Sequence, residues 1–202
     1  MAILKIPRRI GNAFQSARRF GAVAFICIAL TSAVIAPAYA QVDEFVLKAA
    51  LVSKFGLYVE WPSSAFSSPT SPANLCVVGE DPFGEALDKM VAGTRVDGRN
   101  VVIRRLKTVP RDSGCHILFI GDSDAQRAAQ IIVAVRGSSV LTVSDAGRSG
   151  AGAGIINFVI SDNRVRFDID EGAATQNRLV ISSKLLSLAL NVTRRASSKE
   201  GR

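Results

Sequence analysis

The sequence predicts an α/β fold: a three-layer α/β/α domain with a mixed, mostly parallel sheet and a C-terminal antiparallel hairpin. Three observations carry this. Beyond residue 41, apolar runs of strand length alternate with amphipathic runs of helix length. The inner runs at 75–79 and 115–120 are apolar but for His116, as strands covered on both faces are. The last two runs alternate apolar and polar residues on either side of Asp162-Asn163, the pattern of a hairpin.

Taken in order, residues 43–58 read as an amphipathic helix. Phe45, Ala49, Val52 and Phe55 form its apolar stripe, and Asp43, Lys48 and Lys54 supply polar positions. Trp61-Pro62 ends it, because the residue before a proline avoids the helical region. Residues 62–74, rich in Pro and Ser, form a loop. A strand at 75–79 leads into a helix that Asp81 caps and Pro82 opens, running through Phe83, Leu87 and Met90 to Gly93. Val96-Asp97-Gly98-Arg99 is a turn with Asp-Gly at its centre, ahead of a strand at 101–106.

The strand at 115–120 precedes a helix at 122–136, with Ala125, Ala128, Ala129, Ile132 and Val133 inward, and a strand at 140–143 follows. A glycine-rich loop at 147–154 then leads to the hairpin strands 155–160 and 164–169. One hairpin face carries Ile156, Phe158, Ile160, Val165, Phe167 and Ile169; the other carries Asn157, Arg164, Arg166, Asp168 and Asp170. Residues 171–178 read as helical. The last helix is placed at 182–192, with Leu185, Leu186, Leu188 and Ala189 apolar.

Residues 1–40 have the three parts of an export signal. Lys5, Arg8, Arg9, Arg18 and Arg19 form a basic front without acids, residues 20–36 are apolar apart from Thr31 and Ser32, and Ala38-Tyr39-Ala40 offers small residues to a signal peptidase. The expected cut lies between Ala40 and Gln41. The alternative is an uncleaved anchor, but the apolar run is shorter than the ~20 residues of a spanning helix. This organisation gives a cleaved signal peptide at 1–40, one domain at 41–193, and a disordered basic tail at 194–202.

Export alters the charge argument. The whole chain carries +8, but the signal holds five of the 25 bases and no acid, leaving 20 bases against 17 acids, net +3, over 41–202. The tail holds Arg194, Arg195, Lys199 and Arg202 against Glu200, so the domain itself is near neutral. A nucleic-acid footprint needs a basic excess on the domain, and none is expected here. No second stretch is long and apolar enough to span a bilayer.

Cys27 leaves with the signal, and Cys76 and Cys115 remain. In an oxidising compartment two cysteines read as one disulfide, the alternative being two buried thiols. The glycine run Gly150-Ala151-Gly152-Ala153-Gly154 lacks the spacing of a dinucleotide-binding turn, and a strand pattern follows it rather than a helix. His116, the single histidine, adjoins Cys115, yet neighbours on a strand diverge, so a dyad is not expected. One histidine and two paired cysteines do not make a metal site. There is no G-x-S-x-G elbow, and Glu80-Asp81 and Asp168 with Asp170 read as cap and solvated face rather than a catalytic pair. No catalytic residue, cofactor or metal is expected.

The chain also resembles the YfiR family of periplasmic regulatory proteins. The likeness runs through Lys48-Ala49-Ala50, Phe55 with Glu60-Trp61-Pro62, and Leu75-Cys76-Val77-Val78-Gly79 with Asp81-Pro82-Phe83. It continues through Gly98-Arg99, Cys115-His116-Ile117-Leu118-Phe119-Ile120 and Leu141-Thr142-Val143-Ser144-Asp145. It closes with Ile156-Asn157-Phe158, Arg164-Val165-Arg166-Phe167-Asp168-Ile169 and Ile181-Ser182-Ser183-Lys184-Leu185-Leu186. It covers nearly all of residues 44–192, and the order and spacing of the pieces are what make it specific.

The resemblance implies an α/β fold, export and a non-catalytic regulator. Such a regulator holds an inner-membrane diguanylate cyclase inactive by binding its periplasmic domain, which lowers cyclic di-GMP and biofilm formation. It also places the family's first disulfide on Cys76 and Cys115. The family's second bridge, near the hairpin, has no cysteine here; Asn157 and the glycine loop stand instead. A homodimer is expected, and the exposed hairpin face, with Arg166 and Asp168, is the expected partner contact. The alternative function is a periplasmic small-molecule-binding protein, which calls for a pocket at the strand ends.

Overall fold

Alternation along the central strands decides the layers. In β2 (Ala73–Val78) and β5 (Ile117–Ile120) every residue after Asn74 is buried, so both faces of the sheet are covered. Leu75, Val77, Ile117 and Phe119 enter one apolar cluster, while Cys76, Val78, Leu118 and Ile120 enter the other. Continuous apolar runs therefore read out a sheet with helices on both sides.

A computed structural model describes residues 38–121, 124–145 and 154–194. Helix α1 (Ala38–Phe55) runs into a 3-10 turn and the short strand β1 (Val59–Glu60). After β2 come α2 (Glu85–Val91), β3 (Arg95–Val96), β4 (Arg99–Leu106) and β5. Then follow α3 (Ala125–Val135), β6 (Leu141–Ser144), β7 (Ile156–Ser161) and β8 (Arg164–Asp170). The chain continues through α4 (Glu171–Gln176), β9 (Val180–Ile181), α5 (Ser183–Leu186) and β10 (Val192–Thr193).

Among the described residues, eight strands form one sheet in the order β10-β8-β7-β6-β5-β2-β4-β3, and β1 pairs with β9 apart from it. The pairs β4–β2–β5–β6–β7 are parallel, and β3–β4 and β7–β8 are antiparallel. The α/β fold with a mixed, mostly parallel sheet is as the sequence predicts. Both tight turns use left-handed backbone at two adjacent positions, Asp97-Gly98 (φ 51 and 74°) and Asp162-Asn163 (φ 51 and 57°), which matches the twist of a two-residue hairpin. The register Ile156↔Ile169, Phe158↔Phe167 and Ile160↔Val165 puts the expected apolar face together, although Ile160 at its end is exposed.

Against one face of the sheet pack Ala49, Val52 and Phe55 of α1 and Leu87 and Val91 of α2. Phe55 lies 5.2 Å from Phe167 and 5.8 Å from Phe158, ring centre to ring centre. Against the other face packs α3, through Ala128, Ile131 and Val135. The three layers follow.

Five local expectations need correction. Lys48, read as a polar position of α1, is 1% exposed; it is held by carboxylates on two elements. The helix after β2 starts at Glu85 rather than at Pro82. Asp81 does accept from Phe83 and Gly84 N–H groups, but Gly84 then turns to φ +50°, outside helical geometry. In α3 the inward face is rotated: Ala125, Ala129 and Val133 are exposed, while Ile131 and Val135 are buried. The polar residues Gln126, Arg127 and Gln130 are exposed and mark the outward face, opposite Ala128, Ile131 and Val135 at helical spacing. The last helix stops after Leu186, because the chain is drawn onto β8: Leu190 N–H donates to Phe167 O, and Asn191 O accepts from Ile169 N–H. The hairpin is therefore not the outermost edge, since β10 runs parallel outside β8. Most of the expected signal (residues 1–37), most of the glycine loop (147–153) and the tail from residue 195 lie outside the described residues.

Candidate functional site

Three groups of side chains stand out, one at each end of the parallel strands and one on the hairpin. Where β2 and β5 begin, Cys76 and Cys115 form a disulfide with a Cα–Cα distance of 5.8 Å. Both residues are buried, at 0% and 5% exposure. In the parallel register Cys76 lies opposite Leu118, so the bridge reaches back to the residue two before β5.

His116 follows the bridge and is also buried. Its Nδ1 accepts from Asn74 N–H at 3.0 Å, and its Nε2 lies 3.1 Å from Ala65 O. Because Asn74 N–H can only donate, the ring proton sits on Nε2 and donates to Ala65 O. The ring stacks on Phe66 at 4.4 Å, and the Arg99 guanidinium covers Phe66 at 3.9 Å. Burial pushes the His116 pKa down, opposed by the Ala65 hydrogen bond and assisted by the Arg99 charge. Arg99 Nη1 donates to the carbonyls of Ser68, Pro69 and Ser71 at 2.7 to 3.0 Å. Together these contacts pin segment 62–72 over the start of the sheet. No base faces a nucleophile here: the sulfurs are bonded to each other and both ring nitrogens are engaged.

At the other end, Lys48 Nζ lies 2.6 Å from Asp145 Oδ2 and 2.6 Å from Glu44 Oε1. Lys48 also sits 5.7 Å from the Phe158 ring centre. Asp145 directly follows β6 and is 5% exposed. A buried charge is costly unless paired, so this cluster fixes α1 to the strand end. At 1% exposure, and held between two carboxylates, Lys48 meets no solvent-borne substrate. Sequence patterning missed the pair. Its signals were a lysine inside the apolar stripe of α1, a glutamate four residues before it, and an aspartate closing a buried strand.

Along the same end, Arg105 bridges Asp81 and Asp88 with contacts of 2.7 Å to each. The guanidinium holds the Asp88 carboxyl below the usual carboxylate range. The reversal in strand order falls between β2 and β5, the place where open α/β sheets bind ligands. Gly121 packs so closely on Glu80 there that a Cβ would run into the Glu80 carbonyl oxygen. The two strand ends meet backbone to backbone, which weighs against a crevice for a small molecule between them.

The hairpin residues belong to neither group. Arg166 is exposed, opposite Val159. Asp168 is half-buried, and its Oδ1 accepts from the backbone and side-chain nitrogens of Asn191 at 3.0 and 2.9 Å. Its carboxylate helps hold the chain ahead of β10. Ala40 and Gln41, the expected cleavage pair, fall in the first turn of α1.

Among the described residues no helix is long and apolar enough to cross a membrane, and no cluster of three or more His, Cys, Asp or Glu could hold a metal. No curated protein matches the chain. A family model described as YfiR/HmsC-like matches residues 45–190, from α1 to just short of β10. That span takes in the disulfide, Lys48 with Asp145, and the hairpin, and the chain belongs to the YfiR/HmsC-like family.

Proposed function

We propose that this protein is a periplasmic regulator that represses an inner-membrane diguanylate cyclase by binding its periplasmic domain. The observation that carries this reading is the family match over residues 45–190, which takes in nearly the whole described fold rather than one motif. The family is a regulatory one. The buried Cys76–Cys115 bridge suits a protein that works in an oxidising compartment. In this reading residues 1–40 are removed on export, residues 41–193 act as one domain and as a homodimer, and residues 194–202 are a disordered tail. Arg166 is a free contact on the hairpin face. Asp168, engaged by Asn191, contributes there chiefly by shaping that face.

The test is to delete the protein in cells that carry the cyclase and measure cyclic di-GMP and surface attachment. Both rise in the deletion strain and fall again when the full chain is restored, and the cyclase's periplasmic domain retains the protein in a pull-down. Unchanged cyclic di-GMP would reject the reading.

A further inference from the structure

A near-neutral domain can still gather its charge unevenly. Arg104, Lys107, Arg111, Arg127, Arg136 and Arg178 are all exposed, and none of the six has an ion-pair partner among the described residues. They come from separate segments: β4, the run before β5, α3, the residue after it, and the turn before β9. Backbone contacts join them. Arg104 donates to Ser113 O at 2.6 Å, Arg127 to Lys107 O at 3.2 Å, Arg111 to Arg136 O at 3.3 Å, and Arg178 to Gly137 O at 3.1 Å. Among the described residues, the acids beside these cations in the chain are exposed Asp112 and Asp124, the latter capping α3 through Arg127 N–H.

A carbonyl fixes a guanidinium without neutralising it, and each of these arginines keeps most of its five N–H donors free. The side chains are thus held ready, and less freedom is lost when an anionic partner arrives. Between Arg127 and Arg136 the outward residues of α3 are uncharged: Ala129, Gln130 and Val133 are exposed, Val133 at 58%. From Arg127 to Arg136 this strip is about 14 Å long at 1.5 Å per residue. An uncharged centre with an arginine rim is the composition of a protein interface. A membrane-lying helix would present Trp, Phe or Leu instead.

We infer that the outer face of α3, with its arginine rim, docks an acidic surface of a partner protein. The surface stands on its own geometry; naming the partner as the cyclase rests on the function proposed above. It draws on no hairpin residue, so it is a second contact surface beside that of Arg166.

The test places a photocrosslinker at one exposed, neutral position, Ala129→p-benzoylphenylalanine, in the full chain in its native cells. The same variant is then made in an R111E/R136E background, with R127E as a second reversal that leaves the Arg111–Arg136 contact in place. Thermal melts confirm that each variant is folded. The expected result is an adduct with the cyclase that falls about tenfold in either reversal, because rim charges act mainly through association rate. A charge-dependent adduct with a different exported protein supports the docking surface and rejects the cyclase as its partner. No protein adduct, an adduct insensitive to both reversals, or one with lipid alone overturns the inference.

Discussion

The two ends of the parallel strands are held by different chemistry. Where β2 and β5 begin, the ties are covalent and hydrogen-bonded: the Cys76–Cys115 bridge, His116 between Asn74 and Ala65, and Arg99 on three carbonyls. Where β2, β4 and β6 finish, the ties are ion pairs, Lys48 with Asp145 and Glu44, and Arg105 with Asp81 and Asp88. The first end answers to redox state and proton concentration. The second answers to the removal of a charge, and there burial decides how strongly. The Lys48 and Asp145 side chains are 1% and 5% exposed, whereas those of Arg105 and Asp88 are 44% and 46% exposed.

The largest loss is expected at the covalent end. The bridge joins residues 39 apart, and restricting the unfolded chain across such a loop is worth about 4 kcal/mol. The double variant Cys76→Ala/Cys115→Ala should unfold about 10 °C earlier in a thermal melt. An unchanged melting temperature would show that the first end is held by His116 and Arg99 without help from the bridge.

Next in size is Lys48→Met. It keeps the length of the side chain and removes the charge that meets Asp145 Oδ2 and Glu44 Oε1. Breaking a buried pair from one side costs about 3 kcal/mol, read as a lower urea midpoint. The matched truncation at the same end, Arg105→Ala, removes three contacts to carboxylates yet should cost about 0.5 kcal/mol, because solvent screens those charges. Equal losses at the two sites would break the distinction between buried and exposed clusters.

How much of this was legible in the sequence follows from the same contrast. The strands β2 and β4 to β8, the two tight turns and the disulfide pair were readable, because apolar runs, Asp-Gly and Asp-Asn steps and just two cysteines beyond residue 41 are signals the sequence carries, whereas the two-residue strands β1, β3, β9 and β10 leave no such run. The buried role of Lys48 was not. Its partner Asp145 lies 97 residues away, and a lysine on an amphipathic helix is by default a solvated one. The phase of α3 was misread rather than hidden, since Gln126, Arg127 and Gln130 mark its outer face and Ala128, Ile131 and Val135 recur at helical spacing on the inner one. The end of the last helix was decided by β8, whose unpaired backbone groups claim residues 190–191. The band of cations around α3 was invisible to net charge, which sums over the domain and keeps no record of place.

The smallest expected effect lies at His116, and its sign is fixed by geometry. Charging the ring requires a proton on Nδ1, where Asn74 N–H already points at 3.0 Å. Burial accordingly holds the folded-state pKa below the unfolded value, with Arg99 acting in the same direction. The unfolded chain therefore takes up the proton first. Stability from this group is present above about pH 6.5 and is lost as pH falls below it, toward the lower folded-state pKa. One proton limits the slope to about 1.4 kcal/mol per pH unit. Asp88, whose pKa is also lowered, loses its contribution only as pH falls below the usual carboxylate value near 4, outside the interval from pH 8 to pH 5. Urea midpoints taken from pH 8 to pH 5 should fall for the wild type. In His116→Asn, whose side-chain oxygen can still accept from Asn74 but does not titrate, the midpoint should start lower and stay flat. A parallel fall in both proteins would show that His116 does not carry the pH response.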